Sequence, residues 1–484
     1  MGVLTFFSSD DIEEIHSGSL QLLEKTGIFV KNNRALQLLQ NVGCKVESDR
    51  VRIPSDLVEA SIKKAPPSFD LYSRDGSSSF TIGMDKTIFD PGSSGTEFLD
   101  ARTGEIRPAQ VIDLAQLVRL ADALEYIDAQ STAVVPSDVP ESISDLFRLY
   151  VVLRNSDKPI VTGAFTKQGL IDMMHMLEAV AGGAEELAQS PRAIFDCCPT
   201  SPLSWGDVAC QNLIDCAANS IPAEIIPAPM MGATSPVSIF GTLVQSNAEI
   251  LSGIVITQTV KPGAPIVYGG SLALFDMRRA MICLGAIETA MAACASAQIG
   301  KHHGLPTHAY LGLSESKVID AQSGFESGIG LVLASLAHIN VISGPGMMAF
   351  ENCLSLEKLA IDNEICGMSR RLVRGIEVED VAVILDLLNE VGPGGDFLSA
   401  DHTMARLRQE QFMPSDIVCR RPVHSWKDHG SKDSYMRAKD RVETILKAHT
   451  PKPMPDESNG LLEKTLRGIL GRYRIRADAI PGLV

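Results

Sequence analysis

PIVTGAFTKQGLIDMMHMLEAVAGGAEELAQSPRAIFDCC, residues 159–198, sets a short β-rich run, a longer helical stretch and a second β-rich run in succession. Pro159 to Phe165 predicts a strand, Gly169 to Val180 a helix with apolar residues at helical spacing, and Arg192 to Cys198 the next strand. Two strands joined by a helical crossover run parallel, so this unit predicts a parallel sheet covered by helices.

The same unit repeats on both sides. Upstream, Thr87 to Asp90 precedes a helix from Pro108 to Tyr126, and Ala129 to Pro136 precedes one from Glu141 to Arg154. Downstream, strands are predicted at Ala223 to Pro229, Pro265 to Gly269, Thr307 to Gly312 and Asn340 to Ser343. The intervening helices are Asp207 to Asn219, Ser238 to Thr259, Arg278 to His302, Asp320 to His338 and Leu354 to Arg374. Eight repeats is the number that closes an α/β (β/α)8 TIM barrel. An open doubly wound sheet shares the alternation, but it would carry a GxGxxG turn after its first strand, and the sequence contains none.

Three parts follow from this reading. Residues 1–80 form an N-terminal α+β extension, with an opening helix from Ser9 to Thr26, strand-like pieces between Val46 and Ile53, and a helix from Ser55 to Lys64 capped by Ser55. Residues 81–375 form the barrel. Residues 376–484 form a C-terminal helical extension, with a helix from Val378 to Val391 before the turn Gly392 to Gly395.

Composition narrows the partners. With 45% hydrophobic and 21% charged residues the chain can bury a large core, and its net charge of -16 repels nucleic acid and anionic membrane surfaces. A cationic ligand or a basic protein suits it better. The first residues lack a basic run followed by an apolar core, so a cytoplasmic location is expected. The most membrane-like stretch, Met281 to Gly300, holds Glu288 and is rich in Ala and Gly, and reads as a buried barrel helix. Ten scattered cysteines without CxxC spacing suggest reduced thiols, and the apolar helices suggest self-association.

A barrel carries its site at the carboxyl ends of the strands. Only 5% of the chain is aromatic, yet Trp205, Tyr268, Phe275, Tyr310 and Phe350 lie at or near those ends. Such rings can enclose a quaternary ammonium, at about 0.5–2 kcal/mol per contact, or simply pack the barrel. Asp90, Asp276 and Glu315 would add attraction for a cation, whereas a substrate carboxylate would need Arg278 or His308. Gly269, Gly270, Gly344 and Gly346 allow close backbone approach, either to a phosphate or to a large flat cofactor docking from above. Lys317 is a candidate Schiff-base lysine, for aldolase or lyase chemistry. His175, His302, His303, His308 and His338 lack HxH or HExxH spacing, so no metal site is expected.

The motifs GIFV (27–30), FLDARTGEIRP (98–108), FDMR (275–278), SKVIDAQSGFE (316–326) and IDNEI (361–365), with the segment His402 to Pro414 and Trp426, together resemble the trimethylamine methyltransferase superfamily. The resemblance covers nearly the whole chain. It is to the members without pyrrolysine, such as those of the glycine betaine type, since every residue here is an ordinary one. It implies a (β/α)8 barrel that moves a methyl group from a quaternary amine to cob(I)alamin, with no tightly bound cofactor of its own. The acceptor is carried by a separate corrinoid protein, and the four glycines would face it. Asp90, Trp205, Tyr268, Phe275, Tyr310, Glu315 and Phe350 are then the expected substrate residues, and no acid–base triad is expected. A quaternary-amine binding or sensing barrel without catalysis is the alternative.

Overall fold

The computed structural model describes residues 3–476 and residue 480. Eight short parallel strands organise it: β1 Ile88–Asp90, β2 Gln130–Ser131, β3 Ile160–Gly163, β4 Ala193–Cys197, β5 Ala223–Ile225, β6 Ile266–Tyr268, β7 His308–Ala309 and β8 Val341–Ser343. Each is followed by a helix: α1 Val111–Ala123, α2 Ser144–Asn155, α3 Lys167–Ala181, α4 Asp207–Ala218, α5 Ile239–Val260, α6 Ile287–His302, α7 Ala321–Leu336 and α8 Leu356–Arg374. The strands are runs such as Ile160–Val161–Thr162 and Val341–Ile342, β-branched and buried, as parallel strands covered on both faces require.

The strands pair in two parallel sheets, β6-β5-β4-β3-β2 and β7-β8-β1. Hydrogen bonds run across both seams: Tyr268 N–H donates to Pro306 O at 2.8 Å, next to the parallel bridge between Tyr268 and Thr307, and Asp128 N–H donates to Phe89 O at 2.8 Å. Side-chain caps start the helices. Thr166 accepts from Gly169 N–H, Ser238 from Gly241 N–H and Ser355 from Lys358 N–H, which satisfies amides that have no partner within the helix.

Three expectations change at loops. The residues 98–108 form a hairpin, Glu97–Asp100 with Glu105–Pro108, because Asp100 accepts from Arg102 and Gly104 takes φ +76°; the following helix starts at Val111. The predicted helix from Arg278 is likewise a hairpin, Ala273–Asp276 with Met281–Cys283, turned by Asp276 accepting from Arg278 N–H and Ala280 at φ +53°; helix α6 begins at Ile287. The helix Ser55–Ile62 is capped by Pro54, while the Ser55 hydroxyl donates to Glu24 at 2.8 Å.

Helix Ser9–Gln21, which continues as a π turn over Leu22–Thr26, packs with helix Ser55–Ile62 on α5, and strand Ile28–Val30 pairs in parallel with Ser204–Trp205. Among the described residues α5 is the one helix long and apolar enough to cross a membrane; 78% of that window is buried, which makes it a core helix. The C-terminal helices Ser434–Ala448 and Asp456–Tyr473 lie against α1, α8 and α3, where His449 meets Asp122 at 2.7 Å. Helix Val381–Val391 buries none of its residues.

Candidate active site

Strand register assembles a polar interior. Asp196 on β4 is the register partner of Glu224 on β5, and Ser343 on β8 that of Asp90 on β1, so each pair projects to the same face. Ser343 Oγ donates to Asp90 Oδ1 at 2.8 Å, and His308 Nε2 lies 3.0 Å from Ser343 Oγ and 3.7 Å from Glu224 Oε2. Tyr310 O–H closes the chain by donating to Asp196 Oδ2 at 3.1 Å.

This chain is incompletely satisfied. Asp90 Oδ2, Asp196 Oδ1, both Glu224 oxygens and His308 Nδ1 are buried without a hydrogen-bond partner. Burial disfavours charge on all of them: it holds His308 down to about 3, so the imidazole is neutral, and raises Asp90 and Glu224 well above the carboxylate range. Asp196 rises less, to about 6, because Tyr310 and the Arg148 charge offset part of its desolvation.

Above this layer, at the carboxyl ends of the strands, opens a cavity of about 520 Å³. That is within the range of small-molecule sites, roughly 300–1,000 Å³. Its walls include Ser93, Ser94, Phe165, Asp196, Cys198, Tyr310, Phe350 and Glu351. Arg148 is fully buried behind that wall. Its Nη2 donates to Thr132 Oγ1 at 2.6 Å and Ser94 Oγ at 3.1 Å, and its guanidinium carbon is 4.9 Å from the Phe165 ring centre. A hairpin, Met347–Met348 with Cys353–Leu354, hangs Phe350 and Glu351 into the cavity from its tip. Ala349, Phe350 and Glu351 all take left-handed backbone angles, at φ 49°, 62° and 65°. Such angles cost side-chain-bearing residues roughly 1–2 kcal/mol each and concentrate where a site needs them. The Lys317 ammonium lies 4.0 Å from the Phe350 ring centre and donates to Glu315 O at 2.7 Å, away from the cavity lining.

The residues named from the sequence divide. Tyr310 and Phe350 line the cavity, and Asp90 sits in the polar layer beneath it. Trp205 and Tyr268 are enclosed elsewhere: Trp205 Nε1 donates to Ser252 Oγ on α5 at 2.9 Å, and Tyr268 O–H donates to Asn247 Oδ1 on the same helix at 3.0 Å. Both point outward from the strands. Phe275 stands on the Ala273–Asp276 hairpin, and Glu315 accepts from Gly285 N–H at 3.1 Å; neither reaches the cavity. Gly269, Gly270, Gly344 and Gly346 are buried and outside its lining as well. Packing explains them: a Cβ on Gly344 would lie 2.4 Å from Leu311 O, and one on Gly269 2.9 Å from Ile226 Cγ1.

Phe165, Asp196, Glu224, Glu351 and Arg148 were missed. A signal existed for the strand acids, since AIFDC and AEII each carry one carboxylate inside an apolar strand. Among the described residues no group of three His, Cys, Asp or Glu side chains could hold a metal ion.

A family model described as trimethylamine methyltransferase (MTTB) matches residues 1–466. The trimethylamine methyltransferase MttB of Desulfitobacterium hafniense (strain DSM 10664 / DCB-2) is 32% identical over 469 residues, covering 96% of this chain and 93% of that protein. The glycine betaine methyltransferase of Desulfitobacterium hafniense (strain Y51) is 31% identical over 458 residues, covering 94% and 95%. The solved monomethylamine methyltransferase MtmB of Methanosarcina barkeri superposes with a TM-score of 0.49 at 13% identity, over 98% of this chain and 96% of that one. The chain belongs to the trimethylamine methyltransferase (MTTB) family.

Proposed function

We propose that this protein is a cytoplasmic methyltransferase that moves a methyl group from a quaternary amine, glycine betaine or a similar compound, to cob(I)alamin carried by a separate corrinoid protein. The observation that carries the reading is the cavity itself: three rings, Phe165, Tyr310 and Phe350, stand over a layer of carboxyl groups at the strand ends. Ring faces hold the diffuse charge of an onium ion, and the Asp196 carboxylate complements it over a longer range. The likeness to relatives named for trimethylamine and glycine betaine supports the same substrate class.

The reaction asks little of the side chains. A quaternary nitrogen already bears positive charge and leaves as a neutral amine, so no group must protonate it before the bond breaks. Phe165, Tyr310 and Phe350 orient one methyl group toward the mouth, and their bulk keeps water from the reacting carbon. The corrinoid supplies the nucleophile as the second substrate, brought by its own protein. The eight strands are read as a closed (β/α)8 barrel, a reading supported by the hydrogen bonds across both sheet seams. The extensions, residues 1–80 and 376–484, are read as bracing that barrel, residues 81–375, through the described helices Ser9–Gln21, Ser55–Ile62, Ser434–Ala448 and Asp456–Tyr473. The unburied helix Val381–Val391 supports a self-associating chain.

Incubating the protein with reduced corrinoid and a panel of quaternary amines, with mass spectrometry of the amine product, tests the reading. Dimethylglycine from glycine betaine, or the matching tertiary amine from another substrate, is the expected product. Binding with no demethylated product would mark a sensing protein instead, and a borohydride-trapped adduct on Lys317 would mark an aldolase.

A further inference from the structure

Glu351 lines the cavity from the hairpin tip, and among the described residues its carboxyl group makes no hydrogen bond or ion pair. The groups around it come from several elements. Asp196 and Cys198 face it from the β4 end and Tyr310 from the segment after β7, while Phe350 adjoins it with Lys317 stacked on its outer side. Asp196 has Glu224 at its back, and Arg148, the buried cation of the wall, is committed to Thr132 and Ser94. An empty cavity with both Glu351 and Asp196 ionised would set two like charges on facing walls.

Resting on the reading of this cavity as an onium site, we propose that Glu351 exchanges a proton for the substrate's positive charge. Its carboxyl group is neutral in the empty cavity, releases its proton to water when the fixed cation enters, and stays ionised beside it. When the methyl group departs, the carbon–nitrogen bond breaks with its electron pair left on nitrogen, and the positive charge is lost. The site then takes one proton back from water, held between the Glu351 oxygen and the amine lone pair. The methyl group goes to the reduced corrinoid, so atoms and charge balance. Burial and the nearby Asp196 raise Glu351 to about 8, which keeps it protonated near neutral pH before the cation arrives.

The sign is fixed by linkage. Ionised Glu351 binds the cation better, so affinity rises with pH until the empty site itself ionises near pH 8, by up to about tenfold per pH unit below that. Titration calorimetry of the whole protein with tetramethylammonium and with trimethylglycine, at pH 7 in two buffers of different ionisation heat, reads the proton directly and needs no corrinoid. About one proton released per cation bound is expected, with none for Glu351→Gln and release restored in Glu351→Asp. In a single turnover with reduced corrinoid, a pH indicator should then report uptake of about one proton per methyl group transferred. If the cations bind wild-type protein without releasing a proton, or if Glu351→Gln releases as much as wild type, the proton exchange is wrong and the onium site stands. Should neither cation bind at any pH from 6 to 9, the onium reading fails and the proton exchange with it.

Discussion

Replacing Tyr310 and Phe350 together by alanine should raise the dissociation constant of a bound quaternary amine between about fivefold and several hundredfold. Each ring removed takes away about 0.5–2 kcal/mol of contact with the onium charge, and about 1.4 kcal/mol corresponds to a factor of ten. Both rings line the cavity; Tyr310 also packs edge-on to His308 and against the core, so its loss should lower the thermal midpoint as well as the affinity. Tyr310→Phe keeps the ring and loses only the hydrogen bond to Asp196, so it should keep most of the affinity. Trp205→Phe provides the contrast. That ring packs on α5 and bonds Ser252, so its loss should lower the thermal midpoint while leaving affinity nearly unchanged. Calorimetry with tetramethylammonium, beside a thermal melt of each variant, separates the two.

The contrast between Trp205 and Tyr310 also shows what could be read from the sequence. Strand and helix order was legible because period and length distinguish a short β-branched run such as Val341–Ile342 from a long amphipathic stretch. Which side of a three-residue strand a side chain takes is set by register, and a slip of one residue reverses it. Tyr268 and Trp205 therefore looked like Tyr310 in the sequence, although they face the surrounding helices. Asp196 and Glu224 become visible as a pair only through their partnership across β4 and β5, which joins residues 28 positions apart. Glu351 depends on three left-handed residues in succession, none of them glycine, so no turn signature announced it. The two hairpins have a related cause: Asp100 and Asp276 bond their own following backbone, and at Asp276 this local preference displaces the start of the helix expected from Arg278.

A second large effect is expected at Asp362, inside the IDNEI segment. Its carboxylate pairs with Lys358 on the same helix and accepts from Gly346 N–H at 2.7 Å, while Lys358 Nζ donates to Ser327 Oγ at 2.6 Å. Both side chains are buried, at 1% and 0% exposure, so neither charge can turn to water. Asp362→Ala leaves an ammonium group in the core, and removing one partner of such a pair costs about 3–5 kcal/mol. Urea unfolding should show that loss, and the double change Lys358→Met with Asp362→Leu should recover most of it, because no charge is then stranded. The loss should also reach the site. Gly346 immediately precedes the hairpin that carries Phe350 and Glu351, so freeing its amide loosens the cavity wall, and both the single and the double variant should bind onium ions more weakly than wild type.

The cavity over β4 and β5 is where the positive nitrogen should sit. A crystal structure of the protein soaked with tetramethylammonium or a brominated analogue tests this most directly. The nitrogen is expected within about 6 Å of the Tyr310 and Phe350 ring centres, with the carboxyl groups of Asp196 and Glu351 on its near side. The cation found at another surface, or the cavity occupied by an anion held through Arg148, would contradict it.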